Sequence, residues 1–140
     1  MAVEIKINPI DFEPDVALGI DLPMIAGAGA AFKLNYMSID QAVANAKNLI
    51  LTDRGERIML PEFGCNLKSI LFDPIDELIN ENLEKIIKDS FDYWLPYIFI
   101  NNVAVTNNAD TNRINILLSI SLQDNKLDTR SIEVVVENNT

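Results

Sequence analysis

Apolar side chains recur at helical spacing in two stretches of the chain and at strand spacing in three. Ile39, Ala42, Val43, Ala46, Leu49 and Ile50 share one helical face. Ser38 precedes them with Gln41 at capping-box spacing, so a helix should open at Ser38, run to about Leu51 and stop before Gly55. A second, longer helix is expected from Asp73 as N-cap, with Pro74 in its first turn and Asp76 and Glu77 at the positive end of its dipole. Ile75, Leu78, Ile79, Leu83, Ile86, Ile87 and Trp94 give it a buried face, and Pro96 ends it near Trp94.

After Pro96 the period changes. Val103–Thr106, Arg113–Leu122 and Arg130–Glu137 read as strands joined by Asn-Asn-Ala-Asp and Asp-Asn-Lys turns. In the middle one Ile114, Ile116, Leu118, Ile120 and Leu122 alternate with Asn115, Ser119 and Ser121, one face in and one face out. In the last, Ile132, Val134 and Val136 alternate with Glu133, Val135 and Glu137. The pattern predicts an α+β fold: two main helices packed on a three-stranded antiparallel sheet. Such a sheet has two open edges, and nothing after Glu137 is expected to cover the last one. Either another chain adds a strand there, or Glu133, Glu137 and sheet twist keep it unpaired.

Residues 1–37 follow neither period. Pro9, Pro14 and Pro23 remove backbone donors and restrict the residues before them, which predicts an extended N-terminal arm ahead of a single domain over residues 38–140. Ile5, Ile7, Phe12, Ile20, Leu22, Ile25 and Phe32 are too many apolar residues for a plain disordered tail. The arm docks on a neighbouring subunit or packs on its own domain.

Composition narrows the function classes. The 140 residues are 49% hydrophobic, enough for one core and too few for a second domain of ordinary size. A formal net charge of −10 argues against nucleic acid and against anionic membrane as partners, because both bind clustered Lys and Arg. No apolar run approaches the roughly 20 residues that span a bilayer. The first residues lack signal-peptide features, so synthesis in a cytoplasm is expected. With no histidine in the chain, Ser-His-Asp, Cys-His and zinc-type sites are excluded. Asp124–Asp128 lacks the ligand pattern of a calcium loop, and no cofactor or metal is expected. The single cysteine, Cys65, reads as a small turn-associated core residue rather than a nucleophile.

The densest local signal lies between the two helices. Asn48–Leu67 holds a helix end, a tight turn at Gly55, a short extended piece and a second turn at Gly64, and an amphipathic run then leads to Asp73-Pro74. Arg54, Glu56, Arg57 and Glu62 are crowded between hydrophobic anchors, where pairing with one another and with turn backbone is their expected use.

This order of parts resembles the small baseplate wedge proteins of contractile-tailed bacteriophages and their relatives in type VI secretion baseplates. The matching residues are Leu51, Thr52, Gly55, Glu56, Arg57, Pro61, Phe63, Gly64, Leu67, Leu71 and Phe72, with Gly19, Leu22, Pro23 and Phe32 fitting upstream. Arg54, Gly55, Glu56, Arg57, Pro61, Phe63 and Gly64 are the implied structural motif. The resemblance implies a non-enzymatic subunit of the virion tail baseplate that links the wedge core to the contractile sheath and initiates sheath assembly by strand exchange. Its implied partners are other wedge proteins and the tail sheath protein, with tube or hub proteins as further candidates. The implied sheath contact is Ile132, Val134, Val135 and Val136.

Relatives often carry Glu-Pro-Arg after the second long helix to hold neighbouring wedge helices together. Here that place reads Leu95-Pro96-Tyr97, so an apolar and aromatic wedge-core contact replaces the charged one, or these residues are core. Some relatives are described as tail lysozymes. A glycosidase needs two carboxylates across a sugar-sized cleft, and Glu56 with Glu62 is the only pair in the motif. Arg54 and Arg57 beside them favour ionised carboxylates, the opposite of what a general acid needs. The alternatives are a peptidoglycan hydrolase or the equivalent baseplate component of a secretion or other contractile injection system.

Overall fold

The structure, a computed structural model, describes residues 7–26, 32–70, 78–108, 110–111 and 113–137. Its first long element, α1 (Ser38–Leu51), buries Ile39, Ala42, Ala46, Leu49 and Ile50 as their spacing predicts. The start of this helix differs from expectation. Its cap residue is Met37, which supplies no side-chain bond. Instead Asp11 accepts the Ser38 N–H at 2.7 Å and the Ser38 hydroxyl as well. Gln41 therefore does not close a capping box; its amide bridges Asn35 (3.1 Å) and Asn45 (2.9 Å).

Asp11 belongs to a short 3-10 helix, Pro9–Phe12, whose own N-terminus is capped by Asn8. Beyond it, β1 (Gly19–Ile20) and β2 (Leu34–Asn35) pair antiparallel. The β1 segment lies along α1, where Gly19, Ile20 and Leu22 share a cleft with Ala44, and the Lys47 ammonium donates to the Leu22 carbonyl at 3.0 Å. This explains why Ala44, off the predicted stripe, is buried.

A short helix α2 (Leu67–Ile70) occupies part of the predicted amphipathic run, and α3 is described from Leu78 to Trp94. The predicted start at Asp73-Pro74 lies outside the described residues. Ile79, Leu83, Ile87 and Phe91 form the buried face of α3, which ends before Pro96 as expected. Leu95–Ile98 then closes as a turn, with the Ile98 N–H donating to the Leu95 carbonyl and Pro96 at the position its fixed φ suits.

The sheet runs β3 (Ile98–Asn108), β4 (Arg113–Leu122) and β5 (Thr129–Glu137), in that order and antiparallel throughout. β3 begins five residues before the predicted Val103. Its inward positions, Ile98, Ile100, Val103 and Val105, are spaced two, three and two because a bulge falls between Ile100 and Asn102. One extra residue shifts the phase, and a strict alternation search stops there. Ser121, expected on the solvent face, is fully buried, and its hydroxyl accepts from the Asn101 amide at 3.2 Å.

The rows Val103–Leu118–Ile132 and Val105–Ile116–Val134 cross the inner face, against which α1 packs on β4 and β5 and α3 on β3. These elements share one core that also takes in Phe63, Cys65 and Leu67 from the connecting segment. The fold is α+β, two main helices on a three-stranded antiparallel sheet, as the sequence pattern predicts.

Candidate functional site

The segment from Thr52 to Gly64 leaves the core and returns to it as an Ω-type loop. Its ends meet where Gly64 sits against the Thr52 carbonyl: a Cβ built on Gly64 would stand 2.2 Å from that oxygen, and its φ is +121°. Only glycine fits both conditions. Gly55, at φ +92°, makes the other predicted turn. The two limbs are tied by the Gly55 N–H donating to the Pro61 carbonyl at 2.7 Å, and the tip is a turn in which the Leu60 N–H donates to the Arg57 carbonyl at 3.2 Å. This turn stands where a short extended piece is predicted.

Of the two expected uses of the loop's charged residues, bonding to turn backbone is found at Glu56 and pairing with one another is not. Glu56 does not pair with an arginine: its carboxylate accepts the Asp53 N–H at 3.0 Å and lies 3.9 Å from the Lys68 ammonium. Lys68 sits 2.8 Å from Asp53, and that hydrogen bond raises its pKa above the ordinary lysine value. Arg57 lies over the Phe63 ring at 4.0 Å, a cation–π contact. Phe63 in turn meets Trp94 edge-on at 5.2 Å, and Trp94 meets Tyr93 at 4.8 Å. The loop is thus fastened to α2 on one side and to the end of α3 on the other.

Cys65, 1% exposed, is buried beneath this loop. Burial pushes its thiol up to about 11, against smaller opposing effects of the Ser90 hydroxyl and the Arg54 charge. A thiol held protonated this firmly is packing, not a nucleophile. Glu62 and Arg54 face Asp89, Ser90, Tyr93 and Trp94 across an open cleft of about 480 Å³. Glu56 does not line it, so the carboxylates nominated from sequence are not brought together there. Among the described residues no group of three or more metal-ligating side chains converges.

The Leu95-Pro96-Tyr97 turn has a buried anchor in Leu95, with Pro96 and Tyr97 outside. A directed chain of hydrogen bonds reaches it: Asn35 donates to Gln41, Gln41 to Asn45, and Asn45 to the Tyr97 hydroxyl at 2.7 Å. On β5, Ile132, Val134 and Val136 point into the core and Val135 faces outward, half-exposed. Of these four residues only Val135 presents its side chain to a partner, and the other three leave their backbone alone available. Arg113 and Glu137, directly opposite in register, join β4 to the end of β5 at 2.9 Å. Lys68, Asp53 and Leu51 border a cleft beside Val135 and Glu137, which places the loop and the β5 edge side by side.

The fold has known counterparts. A Geobacter sulfurreducens protein described as a candidate tail lysozyme superposes with a TM-score of 0.62 at 22% identity, covering 74% of this chain and 94% of that one. A chain of the type VI secretion system baseplate complex gives 0.60 at 16% identity over 73% and 94% of the two chains. One from the anti-feeding prophage baseplate gives 0.56 at 17% identity over 86% and 85%. None of the curated proteins matches by sequence. The family model described as baseplate wedge protein gp25 matches residues 38–127, which spans α1, the Ω-type loop, α3 and most of the sheet. The chain belongs to the gp25 baseplate wedge protein family.

Proposed function

We propose that this chain is a structural wedge subunit of a contractile-tail baseplate that joins the wedge core to the sheath and starts sheath assembly by strand exchange at β5. The observation carrying this reading is the outer edge of β5. Residues Thr129–Glu137 pair only with β4 among the described residues, without the bulge that disturbs β3. A regular edge with unpaired N–H and C=O groups is a template for one more strand. The alternation of buried Ile132, Val134 and Val136 holds that edge rigidly against α1, so an incoming segment meets a preformed surface.

The Leu95–Tyr97 turn suits the wedge core. Tyr97 accepts from Asn45, which leaves the phenolic proton free to donate to a neighbouring wedge chain, while Pro96 and Tyr97 form the exposed face of a turn anchored by Leu95. The arm over residues 1–37 is a further assembly element in this reading. The sheath protein and other wedge proteins are the partners, in a phage virion or an equivalent injection machine, with synthesis in the host cytoplasm.

An electron-microscopy map of the assembled tail tests the proposal. A sheath segment should run beside Thr129–Glu137 at the ordinary strand spacing of about 4.8 Å. An edge with no foreign strand beside it in an intact tail would refute strand exchange.

A further inference from the structure

A strand that joins β5 has to match the side chains already standing along that edge. Ser131, Glu133, Val135 and Glu137 are exposed on the outer face of β5, while Ile132, Val134 and Val136 are buried beneath it. That outer face carries two acids and no base. Glu137 is held by Arg113 of β4 at 2.9 Å, but Glu133 has no cation within 4.0 Å among the described residues. Its register partner on β4 is Leu117, and the diagonal positions there, Asn115 and Ser119, are neutral. The remaining cations around the edge are engaged elsewhere. Arg130 lies 3.8 Å from Asp40 and 3.3 Å from Asp128, Lys68 is 2.8 Å from Asp53, and Lys126 rests over the Phe99 ring. Each part of the edge is therefore left negative: Glu133 and Glu137 against Arg113 on the outer face, Asp40 and Asp128 against Arg130 at one end, Asp53 and Glu56 against Lys68 at the other.

The inner side of the edge adds a second requirement. An open cleft of about 290 Å³ lies between the end of α1 and β5, lined by Ile50, the half-exposed Leu51 and Val136. A strand laid along β5 turns alternate side chains to this side, and the one opposite Val136 meets the cleft. We propose that the strand accepted by β5 carries Lys or Arg opposite Glu133 and an apolar side chain opposite Val136; this rests on the strand exchange proposed above. The two positions face opposite sides of the sheet, as Glu133 and Val136 do, so the same spacing serves a parallel or an antiparallel arrival. Opposite charges across a strand pair stabilise it and like charges destabilise it, which makes Glu133 the residue that selects the partner. A second copy of β5 is rejected by the same rule, because its outer face offers Glu133 only acids and neutral residues.

The test compares Glu133→Lys with Glu133→Gln in cells producing the particle, counting sheathed tails by electron microscopy and reading co-purification of the chain with the other wedge proteins. Neither variant should change the melting temperature of the chain or its wedge co-purification, since Glu133 is exposed and in no ion pair. Glu133→Lys should lower the number of sheathed tails by about tenfold or more, and Glu133→Gln by less. Sheathing of the lysine variant at the wild-type level overturns the charge requirement. In a map of the wild-type tail, a foreign strand with a neutral or acidic residue opposite Glu133, or a polar one opposite Val136, overturns this inference and leaves strand exchange standing. No foreign strand there overturns both. Sedimentation of the wild-type chain as a dimer that Val135→Asp disperses would give the edge to a second copy and overturn the proposal.

Discussion

The carboxylate of Asp11 caps the helix that begins at Ser38, from 27 positions upstream, through the Ser38 N–H at 2.7 Å and the Ser38 hydroxyl. A helix N-terminus has donors without intrahelical partners and a positive dipole end, and an anionic acceptor satisfies both. Because the cap comes from the arm, the helix N-terminus is satisfied only when residues around Asp11 are in place. Asp11→Ala removes both bonds and should lower stability by about 1 kcal/mol in urea unfolding. Ser38→Ala keeps the backbone bond and should cost less. Hydrogen exchange should show residues 7–12 opening in the Asp11 variant only.

Gly55 and Gly64 both lie at positive φ, but their surroundings differ. A Cβ on Gly55 meets nothing within 4 Å, whereas one on Gly64 collides with the Thr52 carbonyl. Gly55→Ala should therefore cost only the left-handed backbone penalty, on the order of 1–2 kcal/mol. Gly64→Ala adds displacement of the chain at the loop's closing point and should cost clearly more, with loss of the Phe63–Trp94 contact. Denaturant midpoints and tryptophan fluorescence of the two variants check the order.

Much of this fold was legible because its elements keep one period throughout. The α1 stripe, apart from the partly buried Val43, and the alternation of Ile114, Ile116, Leu118 and Ile120 are buried as their spacing predicts. Where reading failed, the cause was a contact distant in sequence or a broken period. Asp11 has no local mark of a cap, and the start of β3 was hidden by the Asn101 bulge. The arginines beside Glu56 in sequence are not its partners, while Lys68, twelve positions on, comes within 3.9 Å of it through the fold of the loop. At the candidate site the motif pointed to the loop but not to its exposed tip. Ile58, Met59 and Leu60 are exposed there, and hydrophobicity alone does not say which apolar residues a chain leaves outside.

Cys65 makes alkaline stability a direct readout of its burial. Its thiol is raised from 9.0 to about 11 chiefly by desolvation. A group whose folded pKa is raised contributes stability that is complete below the unfolded pKa and is lost as pH rises through the folded one. Stability should therefore fall between about pH 9 and pH 11. Lys68, also raised, adds to the loss at the upper end of this range. Cys65→Ala should remove the thiol's share and leave that of Lys68. Iodoacetamide at pH 8 should label the native thiol far more slowly than the unfolded one.

The exposed carboxylates give the test of cell-wall hydrolysis its residues. Glu62 and Asp89 share the open cleft beside Tyr93 and Trp94, a grouping of acids and aromatic rings that a saccharide site also uses, whereas Glu56 is occupied with Asp53 and Lys68. A glycosidase general acid depends on burial to keep its proton near neutral pH, and both Glu62 and Asp89 are exposed. The expected outcome is that purified chain does not clear peptidoglycan suspensions above background and that Glu62→Gln/Asp89→Asn changes neither this nor wedge co-purification. Clearing by the wild type that the double variant loses would reverse the assignment and make the cleft, rather than the β5 edge, the working surface of the protein.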